Sequence, residues 1–284
     1  MQNIHKRTVD DFGDEWEQYS QEKLSEEELH EQFDRYFAIF DWSKIDKNAK
    51  GFDMGCGSGR WAKLIAPNVG ELYCIDASDK ALMVAENNLS QFMNCHVYSG
   101  SFENIPLDDN SMDFGYSLGV LHHIPDTLGG IISCVKKLKP GAPFLAYIYY
   151  AFDSKPLWFK LIWKCSDIMR RTISVLPFKL KLFISQVIAV LVYYPFARLA
   201  ILAEKIGLNV NNIPLSAYRN LSFYSMRTDA LDRFGTRLEK RFTKSEITAM
   251  FKSAGLVRIT FNDDIPYWCV IGYKADFKSG YQIN

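Results

Sequence analysis

Short apolar runs alternate with amphipathic stretches between residues 51 and 150 of this 284-residue chain. The runs have the length of buried strands, and the stretches between them repeat apolar residues at helical spacing. Such alternation predicts βαβ units that build a parallel sheet. The predicted strands are 51–55, 72–76, 95–99, 113–119 and 143–150, and the predicted helices are 60–66, 79–89 and 127–138.

Two other segments depart from this pattern. Residues 8–40 repeat apolar side chains at helical spacing, and residues 152–240 contain two apolar helical stretches, 156–171 and 178–206, followed by an irregular tyrosine-rich segment. A helix at 244–254 and strands at 257–262 and 267–274 then resume the alternation. We predict a Rossmann-like α/β fold: a seven-stranded, mostly parallel sheet with helices on both faces, an antiparallel last strand and a helical insertion.

This pattern divides the chain into three functional parts. Residues 1–48 are predicted to form a helical lid, residues 49–151 and 241–284 a core, and residues 152–240 an inserted cap. Insertions near the end of such a sheet lie at the carboxyl ends of the strands, where ligands also bind. The insertion is therefore expected to contact the acceptor of any reaction.

Charge narrows the classes of partner. The formal net charge is zero, whereas a protein that binds nucleic acid through phosphates usually carries a basic excess. No nucleic-acid partner is expected. The charge is unevenly distributed, however, because residues 1–50 carry 13 acids and 7 bases, and residues 152–205 carry 9 bases and 3 acids.

The six cysteines show no metal-binding arrangement. They form no Cys-x-x-Cys pair and none lies near a histidine at zinc-ligand spacing, so no metal is predicted. The acidic N-terminus shows no apolar leader. Both observations favour a cytoplasmic location.

The first predicted strand ends in a glycine turn, Asp53-x-Gly55-x-Gly57-x-Gly59. Glycines let the backbone turn tightly beside a ligand, and the following helix offers unpaired N–H groups. The dinucleotide fingerprint needs glycine where this chain has Arg60. The Gly-x-Gly-x-Gly spacing instead favours a nucleoside ligand that carries the amino-acid part of methionine in place of a pyrophosphate.

An acid closes the second predicted strand. Asp76 lies 21 residues after Gly55, where a carboxylate can accept hydrogen bonds from both hydroxyls of a ribose. Its alternative role is to cap the helix that follows.

Five segments in order resemble the motifs of class I S-adenosylmethionine (SAM)-dependent methyltransferases: 52–59, 74–78, 101–107, 113–126 and 138–141. The resemblance implies SAM as cofactor and S-adenosylhomocysteine as product. It also implies that Ala77, Ser101, Phe102 and Leu118 line the cofactor and that Arg60 neutralises its carboxylate. The family usually carries an acid where this chain has Ser101. The chain also resembles a bacterial group associated with surface polysaccharides and secondary metabolites.

Paired histidines, His122 and His123, follow the fourth predicted strand, where this family places residues that face the acceptor. A histidine with a pKa near 6.5 can take a hydroxyl proton at neutral pH. Adjacent residues of an extended segment point in opposite directions, so only one is expected to face the site. The alternative is that both are structural. Asp126 is expected to cap the next helix.

Candidate acceptor contacts lie in both flanking parts. Trp16 and Tyr19 are three residues apart on one helix face, either covering the cofactor or packing on the core. The irregular segment after the apolar stretches is typical of a binding loop, and the alternative is an ordinary surface loop. Its candidate contacts are Tyr218, Arg219, Tyr224, Arg227 and Asp229.

The apolar stretch 183–203 is long enough to span a membrane, but Pro195 and Arg198 inside it argue against a span. It could form a cap, a homodimer interface or a cationic contact with an anionic membrane. We predict methylation of a small polar metabolite, on a hydroxyl of a sugar or related compound. The alternatives are a lipid- or polyprenyl-linked acceptor at the membrane surface and a non-catalytic SAM-binding protein.

Overall fold

The computed structural model describes residues 3–153, 155–210, 213–264 and 268–276. Within them a single mixed sheet has the strand order β3-β2-β1-β4-β5-β7-β6. Neighbours from β3 to β5 run parallel, and β7 runs antiparallel to both β5 and β6. The strands are β1 (Lys50–Met54), β2 (Glu71–Asp76), β3 (Cys95–Ser99), β4 (Phe114–Leu118), β5 (Pro143–Tyr147), β6 (Leu256–Phe261) and β7 (Cys269–Lys274).

The predicted fold class is confirmed, and the helices lie close to their predicted positions. They are α1 (Lys6–Gln18), α2 (Glu26–Tyr36), α3 (Ala62–Ile65), α4 (Asp79–Leu89), α5 (Thr127–Lys137), α6 (Leu157–Ile173), α7 (Phe178–Ile188), α8 (Tyr194–Lys205), α9 (Phe223–Gly235) and α10 (Lys244–Ser253). Asp126 caps α5 as expected, since its side chain accepts from the Gly129 amide. Tyr267, with which the last predicted strand begins, lies outside the described residues, as do residues 277–284.

The helical pattern predicted over residues 8–40 forms two helices rather than one. α1 ends at Gln18, Gln21 adopts a left-handed φ of 70°, and α2 begins after Ser25. The Ser25 hydroxyl accepts from the Glu28 amide and so supplies a new N-cap. The break lets α1 and α2 take different directions over the sheet.

The irregular segment was also predicted wrongly, because residues 223–235 form α9. Met226, Ala230, Leu231 and Phe234 are its buried apolar side chains. Polar side chains on α9 also face inward, and this masks the apolar periodicity that predicts a helix.

The sheet is buried on both faces. Phe52, Ile75 and Phe144 belong to the core on one side, together with α5 and α10, and Phe114 and Tyr116 to the core on the other side, with α2 to α4. β1 and β4 come close together because a glycine on each faces an aromatic ring of the other. A Cβ atom on Gly115 would lie 2.2 Å from the Phe52 ring, and one on Gly51 would lie 2.0 Å from the Phe114 ring.

Replacing Gly115 by alanine should therefore destabilise the fold. The added methyl group forces the Phe52 ring to move within a packed core, and overpacking of this kind typically costs about 1–3 kcal/mol. The free energy of unfolding from urea denaturation measures the effect. Gly235→Ala is the matched control, because its added methyl meets only the flexible Leu231 side chain. Equal stability of the two variants would contradict the prediction.

α7, a π turn at Ala189–Tyr193, and α8 form one helix of 28 residues, Phe178–Lys205. By length and composition alone, this helix could cross a membrane. One side of it packs on α9, where Ile188, Tyr193 and Ala197 meet Met226 and Phe234.

Candidate functional site

The three glycines after β1 all adopt left-handed backbone conformations. The φ angles of Gly55, Gly57 and Gly59 are 80°, 53° and 74°, which side-chain-bearing residues rarely adopt. A Cβ atom on Gly57 would also lie 2.7 Å from Cε2 of Trp16. The sequence Gly-x-Gly-x-Gly is therefore required both by the turn and by the close approach of α1.

Asp76 ties this turn to the start of α4. Its Oδ2 accepts from the Gly57 amide at 3.0 Å, and its Oδ1 accepts from the Ser78 amide at 2.9 Å. Burial raises the pKa of this carboxyl group, and the backbone donors, Ser78 first, oppose the shift. The residue that caps α4 is Ser78, whose hydroxyl accepts from the Ala81 amide, so the alternative role of Asp76 as helix cap was wrong.

Asp53 lies under the same turn. It is 1% exposed, and its Oδ2 has no hydrogen-bond partner among the described residues. Burial raises the pKa of Asp53 to about 8. The neighbouring Tyr116 hydroxyl opposes this shift, and the Asp76 carboxylate adds to it. An unpaired buried carboxylate oxygen is costly and suits a cationic ligand group.

The residues predicted to line the cofactor beyond the glycine turn lie at the ends of three successive strands. Ala77 and Leu118 are half-buried, and Ser101 begins a tight turn in which its carbonyl accepts from the Asn104 amide. Phe102 is 5% exposed and packs in the core near Gly130 of α5. Because the ring packs in the core, only the backbone of Phe102 is available to contact the cofactor.

α1 lies over the glycine turn and is bonded to α4. Lys80 of α4 forms ion pairs with Asp14 (2.7 Å) and Glu17 (2.8 Å) of α1. The Arg60 guanidinium lies 4.3 Å from the centre of the Trp61 ring and 5.9 Å from that of Trp16. These contacts hold α1 beside the glycine turn.

His122 and His123 lie together rather than on opposite sides. They belong to a 3₁₀ turn, Leu121–His123, and not to the extended segment from which opposite orientations were expected. Both are buried, with ring centres 4.1 Å apart. Their backbone contacts give the two rings different tautomers.

His123 presents an unprotonated nitrogen. Its Nδ1 lies 2.6 Å from the Leu238 carbonyl oxygen, which can only accept, so the proton resides on Nδ1. Nε2 then carries a lone pair, has no hydrogen-bond partner within the described part of the chain and lies 4.0 Å from Oδ1 of Asp232. Burial lowers the pKa of His123, and the Asp232 carboxylate opposes this shift most strongly. This side chain is a neutral base beside an acid that can stabilise its protonated form.

His122 has the other tautomer. Its Nδ1 accepts from the Tyr149 amide at 3.4 Å, which leaves the proton on Nε2, a buried donor without a partner among the described residues. Burial lowers its pKa well below the usual value, and the neighbouring His123 adds to the shift. The ring stacks on Tyr149 with centres 3.7 Å apart.

Carboxyl groups of α1 and α9 lie near one another, and Asp232 connects them to the histidines. Tyr149 donates to Oδ2 of Asp232 at 2.6 Å. Burial raises the pKa of Asp229 to about 6, and the negative charge of Asp232 adds to this shift. Burial raises the pKa of Glu15 of α1 well above its usual value, and the Asp232 and Asp229 charges add to it. We call His122, His123, Tyr149, Glu15, Asp229 and Asp232 the polar cluster.

The remaining predicted acceptor residues fall into two groups. Tyr19 is buried, accepts from Gln186 of α7, and lies edge-on to Tyr224 and near the Arg227 guanidinium. Tyr218 is half-buried and lies close to Asp229, whose charge adds to the effect of burial in raising its pKa. Arg219 forms two hydrogen bonds with Glu204 of α8, at 2.9 and 3.0 Å, so its prediction as an acceptor contact is not supported.

Sequence reasoning missed Glu15, Tyr147, Tyr149 and Asp232 as site residues. The tyrosines carried a usable signal, because Tyr147 ends β5 and Tyr149 follows two residues later, the spacing that places side chains on one side of an extended chain. The acids carried none, because their burial depends on how α1 and α9 pack. Among the described ranges, no group of three His, Cys, Asp or Glu side chains could hold a metal ion.

The fold and this site define the class of protein. A sheet of this order, with a Gly-x-Gly-x-Gly turn after β1 and an acid at the end of β2, is the arrangement of the class I SAM-dependent methyltransferases. SAM is the cofactor. Asp76 would bind its ribose, Asp53 its ammonium group and Arg60 its carboxylate.

Comparison with known proteins supports the methyltransferase assignment of the core. Residues 52–146 match the model of the methyltransferase domain. Demethylmenaquinone methyltransferases of Staphylococcus epidermidis and Staphylococcus aureus are 27% identical over 134 and 142 residues, covering 42% and 43% of this chain. The matched regions span 53% and 58% of those relatives, a little over half of their length.

Solved structures agree on the fold. A Bacillus halodurans protein provisionally assigned as a methyltransferase aligns with a TM-score of 0.50 and 14% identity, covering 81% of this chain and 71% of that one. A chain from the complex of a Haloferax volcanii methyltransferase activator with a provisionally assigned methyltransferase aligns with a TM-score of 0.51 and 13% identity, covering 92% and 98%.

Proposed function

We propose that this protein transfers the methyl group of SAM to a hydroxyl of a polar acceptor, with His123 as general base. The observation that carries the proposal is the unpaired, unprotonated Nε2 of His123, buried 4.0 Å from Asp232. The surrounding cluster offers tyrosine, histidine and carboxylate groups, which suit an acceptor with several hydroxyls, such as a sugar.

The chain's own residues position the acceptor and take its proton. Bound SAM would supply the methyl group and the sulfide leaving group. His123 Nε2 takes the hydroxyl proton as the oxygen forms its bond to carbon, and Asp232 then faces an imidazolium ion. His122 offers an Nε2–H donor that can orient an acceptor oxygen. α1, closed over the glycine turn, excludes water.

The proposal is tested by following S-adenosylhomocysteine release from SAM in the presence of candidate acceptors. We expect release with a hydroxylated acceptor and not with its deoxy analogue. SAM binding without turnover on hydroxylated sugars or on lipid-linked acceptors would favour the non-catalytic alternative and overturn the proposal.

The rate is expected to fall at acid pH. His123 must be neutral to accept a proton, and burial places its pKa below 6.5. The rate constant under saturating conditions should therefore be constant above pH 6.5 and decline as the pH falls through the lowered pKa. The groups that face His123 are Asp232 and Glu239, which raise its pKa, and Arg241, which lowers it. A pH–rate profile measures this, and a rate that rises toward acid pH would contradict it.

A second candidate acceptor is a lipid quinone or another lipid-linked molecule. The relatives in Staphylococcus are demethylmenaquinone methyltransferases, and a hydroxyl on an aromatic ring could lose its proton to the same base. The insertion also exposes many apolar side chains. S-adenosylhomocysteine release with a reduced quinone, but with no soluble sugar, would favour this candidate.

A further inference from the structure

The insertion exposes most of the large apolar side chains that the described part of the chain presents to solvent. Nineteen of the twenty-three such residues lie within residues 157–208. Among them Phe183 is 64%, Leu191 67% and Leu199 57% exposed. A monomeric soluble protein rarely exposes apolar side chains in such concentration, which marks a binding surface.

These side chains occupy one side of the 28-residue helix. Lys181, Ser185, Ile188 and Ala197 are buried on the side that packs on α9. The exposed positions 183, 187, 191, 199 and 202 recur at helical spacing on the other side. At 1.5 Å per residue, this gives a face about 40 Å long. α6 adds exposed Leu161, Ile168 and Met169. We call this the apolar face of the insertion.

The charges around this face are cationic. Residues 157–206 contain eight bases and two acids. Both acids are paired: Asp167 is buried against Arg170 and Arg171, and Glu204 binds Arg219. Lys164, Lys179 and Lys205 are exposed. Lysines beside an apolar surface complement anionic lipid headgroups, whereas a two-fold interface between copies would bring these like charges together.

The inner side of the helix argues against a transmembrane orientation. Lys181 is 2% exposed and pairs with Asp11 of α1, and it also donates to the Gly235 carbonyl. Gln186 donates to Tyr19. A span would break these bonds and bury a lysine in hydrocarbon. A helix with one packed side and one apolar side satisfies every contact when it lies along the surface.

We propose that the apolar face of the insertion docks on an anionic lipid bilayer, with α6 and the 28-residue helix lying in the plane of the membrane surface. Trp158, Phe183 and Phe196 enter the interface, and the exposed lysines meet the headgroups. The docked protein receives its acceptor from the bilayer as a polar head on an apolar tail, a consequence that rests on the proposed function.

The experiment is cosedimentation of the full chain, without SAM, with phosphatidylcholine vesicles that contain or lack phosphatidylglycerol. We expect binding to the anionic vesicles, weakened by salt and released by alkaline carbonate. Leu191→Glu/Leu199→Glu should weaken binding about tenfold or more, because both side chains leave the interface. Met83→Glu/Met93→Glu is the matched control, because both methionines are exposed but lie outside the insertion. This variant should bind vesicles like the wild type.

Removing charge provides an independent variant that leaves the apolar face intact. Lys164→Gln/Lys179→Gln should weaken binding about fivefold per lysine at low salt. Failure of the wild type to bind either vesicle, or sedimentation as a stable dimer that vesicles do not dissociate, would overturn the proposal. Resistance to carbonate would overturn it in favour of a span. The cosedimentation assay contains no SAM, so a failure to bind vesicles can be distinguished from a failure to transfer a methyl group.

Discussion

Replacing Asp76 by alanine is expected to weaken the binding of SAM and S-adenosylhomocysteine about 100-fold or more. The carboxylate accepts from the Gly57 and Ser78 amides and so fixes the glycine turn. It also stands where both ribose hydroxyls can donate, and each hydrogen bond to a charged acceptor contributes about 1.5–3 kcal/mol. Isothermal titration calorimetry with S-adenosylhomocysteine measures the change.

Asp79→Ala is the matched control, because Asp79 is an exposed acid at the start of α4, three residues away. It should leave the affinity unchanged. The melting temperature of Asp76→Ala distinguishes lost binding from lost folding. A folded Asp76→Ala protein with wild-type affinity would show that the ribose lies elsewhere.

Replacing His123 by asparagine is expected to lower the rate constant for methyl transfer to a hydroxyl by about 100- to 10,000-fold, the usual contribution of a general base. Asparagine can still donate to the Leu238 carbonyl that holds Nδ1 of His123, so the 3₁₀ turn keeps a partner. It offers no basic nitrogen toward Asp232. The rate at saturating SAM and acceptor, measured by S-adenosylhomocysteine release, should fall while the affinity for the cofactor is retained.

The pH profile distinguishes a base from a packing residue. In His123→Asn the acid limb assigned to His123 should disappear, whereas a merely destabilised enzyme would keep it. Asp232→Asn should shift that limb to lower pH, because the Asp232 carboxylate raises the pKa of His123. His96→Ala, at a half-buried histidine on β3, is the control. A His123→Asn variant with wild-type rate would assign proton removal to another group or to none.

α9 lies between the proposed membrane surface and the polar cluster that contains the proposed base. α9 carries Asp229 and Asp232 on the side that faces the polar cluster, and its apolar side chains pack against the 28-residue helix. That helix is bonded to the lid through Lys181 and Gln186. The insertion thus connects the site, the lid and the apolar face.

The sheet and the glycine turn were predictable because the information for them is local. A buried parallel strand requires a continuous apolar run, and a turn with three left-handed residues requires glycine at each. The strand predicted at 95–99 and the helix predicted at 79–89 coincide with β3 and α4. α9 was not predicted because its inward side chains are partly polar. The break after α1 was not predicted because Ser25 caps a second helix that continues the apolar pattern.

The sequence by itself determined the fold class, the candidate SAM site at Gly55–Gly59 and Asp76, and the concentration of apolar residues in the insertion. Only the tertiary structure decided the proton positions of His122 and His123, because their partners, Tyr149 and Leu238, are 27 and 115 residues away. It also decided which side of the insertion is covered, since that depends on α9 and α1. Protonation and exposure are properties of assembled neighbours, and no local spacing encodes them.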